Sequence, residues 1–493
     1  MRYLVQLVLT SLIVYSLYMS FKTPDLNECV NKTWDDTLPA FLEFIQIQNL
    51  SPEFDKTPED KRNAFRASVH IHNWIIDQGI KGLNIHLDDK ESSPFIIVTV
   101  DATNAKMGHV LMYGHLDKQP PLLGKWSDGL HPYEPKIIDN KIYGRGTVDD
   151  GYAIFTMINV IKIMQRMNMP HGKFTLIIES EEESGSEHLP YFLEKYTNMI
   201  TTPDYIIAMD SGSLYTNDRI WFTTSLRGCI TAELKVEVMN KECHSGDGGG
   251  IVPEPFHIAR QLINRLYDPR DNTCHLHVPP QICTVPEMHL HYAQRMIDLL
   301  GTKLFEGFSL LHHVTVGDIQ NEDSRLEKYL DGTWRPTVTI IGIDGMPSTK
   351  EAGNIISPNI TLKLSIRTPP NVPASFVFDV LEKFMDVKNN SNNAKVTLTK
   401  GTTDNGWYAK NFDNKLTKTL DEISFTHYGN PAGYCADGAS IPFVHIIQNK
   451  FPTATMLVTG VIEQDSNIHA PDENLNVITL KKFMKFLVSF LSR

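Results

Sequence analysis

Cysteine is scarce in this 493-residue chain, and the six present (Cys29, Cys229, Cys243, Cys274, Cys283, Cys435) are scattered. None falls in a C-x-x-C pair, which removes a structural zinc ribbon from consideration. Only Cys274 and Cys283 stand close enough in sequence for a local disulfide in an exported chain, with unpaired thiols as the equal alternative. Positive charge is short as well. With 46 Lys+Arg against 58 Asp+Glu the formal net charge is −12, which argues against nucleic acid as the main partner. Internal repeats and low-complexity tracts are absent, so solenoid and compositionally biased classes fall away.

What is present is ordinary globular composition, 41% hydrophobic and 21% charged, in a chain too long for one domain. Two domains and an N-terminal appendage are expected. That appendage, residues 1–22, carries an apolar run from Leu4 to Met19 behind the single positive Arg2, the pattern of a signal sequence or signal anchor. The expected location is therefore secreted, periplasmic or membrane-anchored. Bulky Leu17, Tyr18 and Met19 offer no small-x-small cleavage site, so removal and retention as an anchor both stay open.

Short apolar runs alternate with helix-period segments, which is α/β layering. Strands are expected at 95–100, 110–113, 174–178, 205–209 and 455–458, and helices at 153–167 and 480–491. Runs apolar at nearly every position, such as Phe174 to Ile178, suit a sheet covered on both faces. Between residues 225 and 401 the order changes to β-α-β-β-α-β, a ferredoxin-like α+β insertion that splits the larger domain into 36–224 and 402–493. The connection at 270–335 has helices of its own and no legible task.

Chemistry gathers where strands end. The first candidates are His115 and Asp117 after one strand, Glu182 and Glu183 after another, and Asp210 after a third. Asp149 follows in a Gly-rich turn, and His469 in a loop after the last strand. Ligands of open α/β sheets collect beyond the carboxyl ends of strands, so these residues can converge on one crevice. Imidazoles and carboxylates in this proportion suit two zinc ions about 3.5–4 Å apart that share one bridging carboxylate. Asp149 is the expected bridge, with His115 and Asp210 on one metal and Glu183 and His469 on the other. Glu182 is then free to act as general base and later acid, and Asp117 to orient the His115 ring. Taken singly, each of these carboxylates is more often a helix cap or ion pair, and each histidine more often a solvent-facing side chain.

Several blocks recur in the order of a known family. These are Tyr113-Gly114-His115-Leu116-Asp117, Tyr143-Gly144-Arg145-Gly146, Asp149-Asp150, Glu182-Glu183-Ser184-Gly185-Ser186, His244-Ser245-Gly246, Ser365-Ile366-Arg367 and Gly438-Ala439-Ser440-Ile441-Pro442. From about Ala40 onward the chain resembles the carnosinase-like nonspecific dipeptidases of the aminoacylase-like superfamily. The resemblance implies a zinc-peptidase-like three-layer catalytic domain, an inserted lid that also forms a homodimer, two Zn2+ per subunit (Mn2+ being able to substitute), and cleavage of dipeptides or short peptides. It assigns His115, Asp149, Glu183, Asp210 and His469 to metal, Glu182 to the base and Asp117 to support. It further implies a cis peptide bond before Asp150 and a lid His244 that polarises the scissile carbonyl of a neighbouring subunit's site. Asn354 and Arg367 would grip the substrate carboxylate, and Gly438, Ala439 and Ser440 would line the same pocket. A surface role for His244 and a structural one for Arg367 are the plainer readings.

Two departures stand out. The lysine common after the paired aspartates is replaced by Gly151-Tyr152, and Asp437 stands where a glutamate often pairs with the substrate amine. The rival functions are an N-acyl amino acid amidohydrolase with the same metals and base, and a catalytically silent binding protein. An anion at Asp437 speaks against an acyl chain there, and retention of the whole ligand set speaks against silence.

Overall fold

The computed structural model describes residues 25–493, apart from 55, 90–92, 214, 269–272, 275, 277–282, 309 and 391. The apolar run at 4–19 lies outside the described residues. Among those described, no helix is long and apolar enough to cross a membrane.

A nine-stranded sheet forms the centre of the larger domain. Its strands run Leu83–Asp88, Phe95–Val100, Lys173–Glu179, His109–His115, Tyr205–Ala208, Thr455–Thr459, Trp221–Leu226 and Trp407–Tyr408, with Gly433–Asp437 also paired to Trp221–Leu226. His109–His115 is parallel to both neighbours, Lys173–Glu179 and Tyr205–Ala208, so their carboxyl ends open on the same side. Successive side chains on a strand face opposite ways. Tyr113 stacks on Phe443 of the Pro442–Lys450 helix at 3.7 Å between centroids, while Met157 and Ala153 of the Tyr152–Arg166 helix fill the space over Gly114. Both faces are thus covered, which is why these strands are apolar almost throughout.

The second unit has a four-stranded antiparallel sheet ordered Thr337–Asp344, Asn359–Thr368, Gly228–Glu237, Lys395–Asp404. In chain order that is 2-3-1-4, and the amphipathic helices Pro255–Leu266 and Ala374–Met385 pack their Ile258, Leu262, Val377 and Leu381 on one face. This is the expected ferredoxin-like lid. Its chain enters from the larger sheet through Arg227 alone, between strands Trp221–Leu226 and Gly228–Glu237.

The connection behaves differently from the lid that contains it. Its helices Glu287–Leu300 and Glu322–Thr333 bury Met296, Ile297, Leu330 and Trp334 against Trp221, Cys435 and Ala436 of the large sheet. Cys274 and Cys283 are free thiols, so the local disulfide does not form. The Asn49 side chain is fully buried, and its amide donates to the Leu116 carbonyl.

Candidate metal centre

The strand His109–His115 delivers His115 into the interior with no solvent exposure. Its Nδ1 lies 3.3 Å from Asp117 Oδ1 and 3.2 Å from the Asp117 carbonyl oxygen, so the proton sits on Nδ1 and the Nε2 lone pair faces away. Asp117 is fixed in turn. Its two carboxylate oxygens accept the N–H groups of Glu182 and Glu183 at 3.2 and 3.0 Å, which ties the loop after Lys173–Glu179 to the loop after His109–His115.

Asp149 stands between two imidazoles. Oδ1 is 3.2 Å from His115 Nε2, and Oδ2 is 2.8 Å from His469 Nε2. Asp210 Oδ2 approaches His115 Nε2 to 3.9 Å on one side, and Glu183 Oε2 approaches His469 Nε2 to 3.2 Å on the other. Two ligand clusters result, His115–Asp149–Asp210 and Asp149–Glu183–His469, with Asp149 common to both. The Asp149–Asp150 peptide bond is cis, and His469 is placed by left-handed backbone at Asn467 and at itself (φ 54 and 57).

Charge is badly out of balance in this space. Burial pushes the Glu183 carboxyl up to about 7 and Asp210 up to about 6, with the Asp149 carboxylate adding to each. Burial and then the Asp210 charge drive Glu182 well above the carboxylate range. Burial alone would raise Asp149 too, but the His115 and His469 rings on either side of it hold it low. For His469 burial is outweighed by Asp149 and Glu183, and its ring rises to about 11. His115 Nε2 and Glu183 Oε1 are buried without a hydrogen-bond partner. Nitrogen and oxygen donors with unpartnered atoms and surplus negative charge fit divalent cations of the zinc or manganese type.

Residues with no role legible in the sequence complete the centre. Asp150 Oδ2 accepts the His115 N–H at 3.3 Å, and Gln119 donates to Glu183 Oε2 at 2.6 Å. Glu473, fully buried, takes Arg145 Nη1 at 2.6 Å on one oxygen and the N–H groups of Gly146, Val148 and Asp149 at 3.0, 3.2 and 3.3 Å on the other. Buried Lys118 donates to the carbonyls of Phe44, Ile45 and Ile47 at 3.0, 3.2 and 2.7 Å. Tyr152, at the position of the missing lysine, starts its helix normally and donates to the Met209 carbonyl beside Asp210.

The remaining candidates form two further groups. Arg367 of the lid donates to Ser440 Oγ at 2.7 Å, which joins the lid to the loop Asp437–Ser440, and Asp437 accepts the Ala439 N–H at 2.8 Å. His244 and Asn354 are neighbours on the lid, where Ser245 N–H donates to the Asn354 carbonyl at 2.8 Å. The His244 side chain is 60% exposed and lies apart from both ligand clusters of its own chain.

Comparison with known proteins finds metallodipeptidases among the relatives of this chain. Beta-Ala-His dipeptidase of Homo sapiens is 27% identical over 472 residues, covering 90% of this chain and 87% of that protein. The Cys-Gly metallodipeptidase DUG1 of Saccharomyces cerevisiae is 25% identical over 448 residues, covering 90% of each. Among solved structures, human carnosine dipeptidase 1 shares the fold with a TM-score of 0.73 at 21% identity, over 95% of this chain and 98% of that one. The dipeptidase Dug1p from Saccharomyces cerevisiae does so at 0.74 and 20%, over 95% and 97%. Since the profile of peptidase family M20/M25/M40 runs through residues 111–493, and so through every carboxylate and imidazole gathered above, the chain belongs to that family of metallopeptidases.

Proposed function

We propose that this chain hydrolyses the peptide bond of dipeptides or short peptides bearing a free amino end. The observation that carries the reading is Asp149 held between His115 and His469, with Asp210 and Glu183 flanking and the buried Glu182 carboxyl within reach of the Asp210 and Glu183 charges. His115, Asp149 and Asp210 would hold one divalent ion, and Asp149, Glu183 and His469 the other. Two such ions, zinc or manganese, supply Lewis acidity for the scissile carbonyl and lower the pKa of water. Glu182 takes the proton from the attacking water and returns it to the leaving amine. Asp117 keeps the His115 ring in register through Nδ1. Arg367, with Asn354, binds the substrate carboxylate, and Asp437 binds the amine, while Gly438, Ala439 and Ser440 line the space between.

We further infer a homodimer joined through the lid. The edge strand Thr337–Asp344 leaves Ile340, Ile341 and Ile343 at 48%, 53% and 48% exposure, an unprotected apolar edge suited to a second copy. In that dimer His244 serves the neighbouring subunit's carbonyl. Export directed by residues 1–22 completes the proposal.

The test is hydrolysis of a dipeptide panel and its N-acetylated counterparts by purified protein, with chelator and with zinc or manganese restored. Metal-dependent cleavage confined to free dipeptides supports the reading. Cleavage confined to the acetylated set makes the chain an amidohydrolase instead, and inertness of metal-loaded protein makes it a silent binding protein.

A further inference from the structure

A cleft of about 930 Å³ opens between the large sheet and the connection that carries Leu304 to Arg335, with Gly212, two residues after Asp210, in its lining. Gly212, Thr223 and the segment Ala436 to Ala439 line it from the large-sheet side, as its floor. Thr223 Oγ1 lies 2.8 Å from the hydroxyl of Ser211, the residue after Asp210, so the floor is continuous with the metal-ligand loop. At the far side the Gly307 turn approaches Gln464, in the segment that leads to His469.

The wall is apolar, built from Tyr215, Leu276, Leu304, Phe305 and Phe308. Thiols contribute as apolar surface too: burial pushes Cys435 up to about 12 and raises Cys274 and Cys283, so all three stay protonated. The charged side chains of the lining are mostly committed to one another. Arg335 holds Glu327 and Asp331 at 2.6 and 2.7 Å, and Arg227 donates to the carbonyls of Gly438, Asp331 and Arg335 at 3.1, 3.4 and 3.2 Å. Asp437 alone among these acids makes no ion pair among the described residues. Tyr329 accepts the Ala436 N–H at 2.8 Å, so wall and floor are fastened together next to Asp437.

One uncommitted carboxylate at the base of an apolar chamber selects an ammonium that carries a large apolar group. A bare acyl chain would bury the Asp437 charge against hydrocarbon with only the Ala439 N–H to satisfy it. A small amino-terminal residue would leave the apolar wall in contact with water, whereas a large apolar side chain covers it. Resting on the dipeptidase reading above, we propose that the cleft is a specificity pocket for the amino-terminal side chain, and that the substrates are dipeptides beginning with a large apolar or aromatic residue. The amine is held by Asp437 and the side chain lies against Phe305 and Phe308.

The experiment measures kcat/KM of the metal-loaded full chain for Phe-Gly, Leu-Gly, Ala-Gly and N-acetyl-Phe-Gly, and repeats it with Phe308→Ser, a residue 63% exposed at the chamber rim and therefore not needed for folding. The expected result is a preference for Phe-Gly over Ala-Gly of roughly tenfold or more, the order of discrimination that apolar pockets deliver, with that ratio reduced in Phe308→Ser. Equal or better cleavage of Ala-Gly overturns the inference while dipeptide hydrolysis stands. N-acetyl-Phe-Gly cleaved as fast as Phe-Gly overturns the role of Asp437. No cleavage of any dipeptide removes the underlying reading and the inference with it.

Discussion

Glu473 shows how much one side chain can carry without touching substrate. One oxygen neutralises Arg145, which is 1% exposed, and the other receives the three N–H groups that shape the turn holding Asp149. Replacing it with alanine leaves a buried guanidinium unpaired, a change that costs about 3–5 kcal/mol when one partner of a buried pair is lost. Glu473→Ala is therefore expected to lower the denaturation midpoint strongly and to weaken metal retention, measured by chemical unfolding and by metal content after gel filtration. A wild-type midpoint would remove the turn-holding role. The metal-ligand candidates themselves were legible because each sits at the end of an apolar strand or in a loop beside one, where position and residue type coincide. Glu473, Lys118 and Gln119 were not legible: their roles depend on partners supplied by folding, in the case of Glu473 and Arg145 across 328 positions. His244 was legible as a motif, but this chain alone brings it to no ligand.

At the scale of elements, the chain passes between the domains through a crossing with no spare volume. A Cβ on Gly228 would lie 2.3 Å from Thr368 Oγ1, 2.6 Å from the Asp404 carbonyl oxygen and 2.8 Å from Gly406 N. The neighbours are mostly backbone, so Gly228→Ala must displace one crossing strand from the other. A loss of about 1–3 kcal/mol is expected, in line with overpacked interiors, and a variant as stable as wild type in urea would show that the crossing yields freely. The helix Glu287–Leu300 offers a pH test. His289 is buried there, donates Nε2–H to the Ala409 carbonyl at 3.0 Å, and has an unpartnered Nδ1. Burial holds its ring down to about 4. Above pH 6.5 both folded and unfolded rings are neutral; below it the unfolded ring, with its ordinary value of about 6.5, takes a proton that the folded ring refuses. Stability thus falls between about pH 6.5 and 4, by about 3 kcal/mol for this group. His289→Gln should flatten that part of the stability curve, and an unchanged slope would assign it to other groups. The sequence predicts helices somewhere in this connection, but neither the bounds nor the seat of this one. Its apolar stripe is complementary to Trp221 and Cys435, residues of the large sheet that the sequence order of the lid gave no reason to pair with it.

For the whole molecule the open question is whether one chain holds a complete site. The seven residues of the centre come from a strand end and the loops of a single large domain, whereas His244 and Asn354 stand together on the lid with the His244 ring 60% exposed. The lid also leaves the edge strand Thr337–Asp344 and its isoleucines uncovered. If a second copy pairs along that edge, each centre is completed by the other chain's His244, and two kinds of damage become separable. Glu182→Gln removes the proton carrier but keeps the metal ligands. His244→Ala keeps the proton carrier but removes the donor to the developing oxyanion, a loss of about 10²–10³ in kcat for groups of that kind. Each variant alone is expected to be nearly inactive. Mixed and allowed to exchange subunits, half of the heterodimer's sites combine an intact Glu182 on one chain with an intact His244 on the other, and activity should return to about a quarter of wild type at equal mixing, as dimer statistics and shared sites together require. Labelled subunits that exchange without any recovery would mean that each chain works alone, and that the exposed His244 reaches its own centre by closure of its own lid.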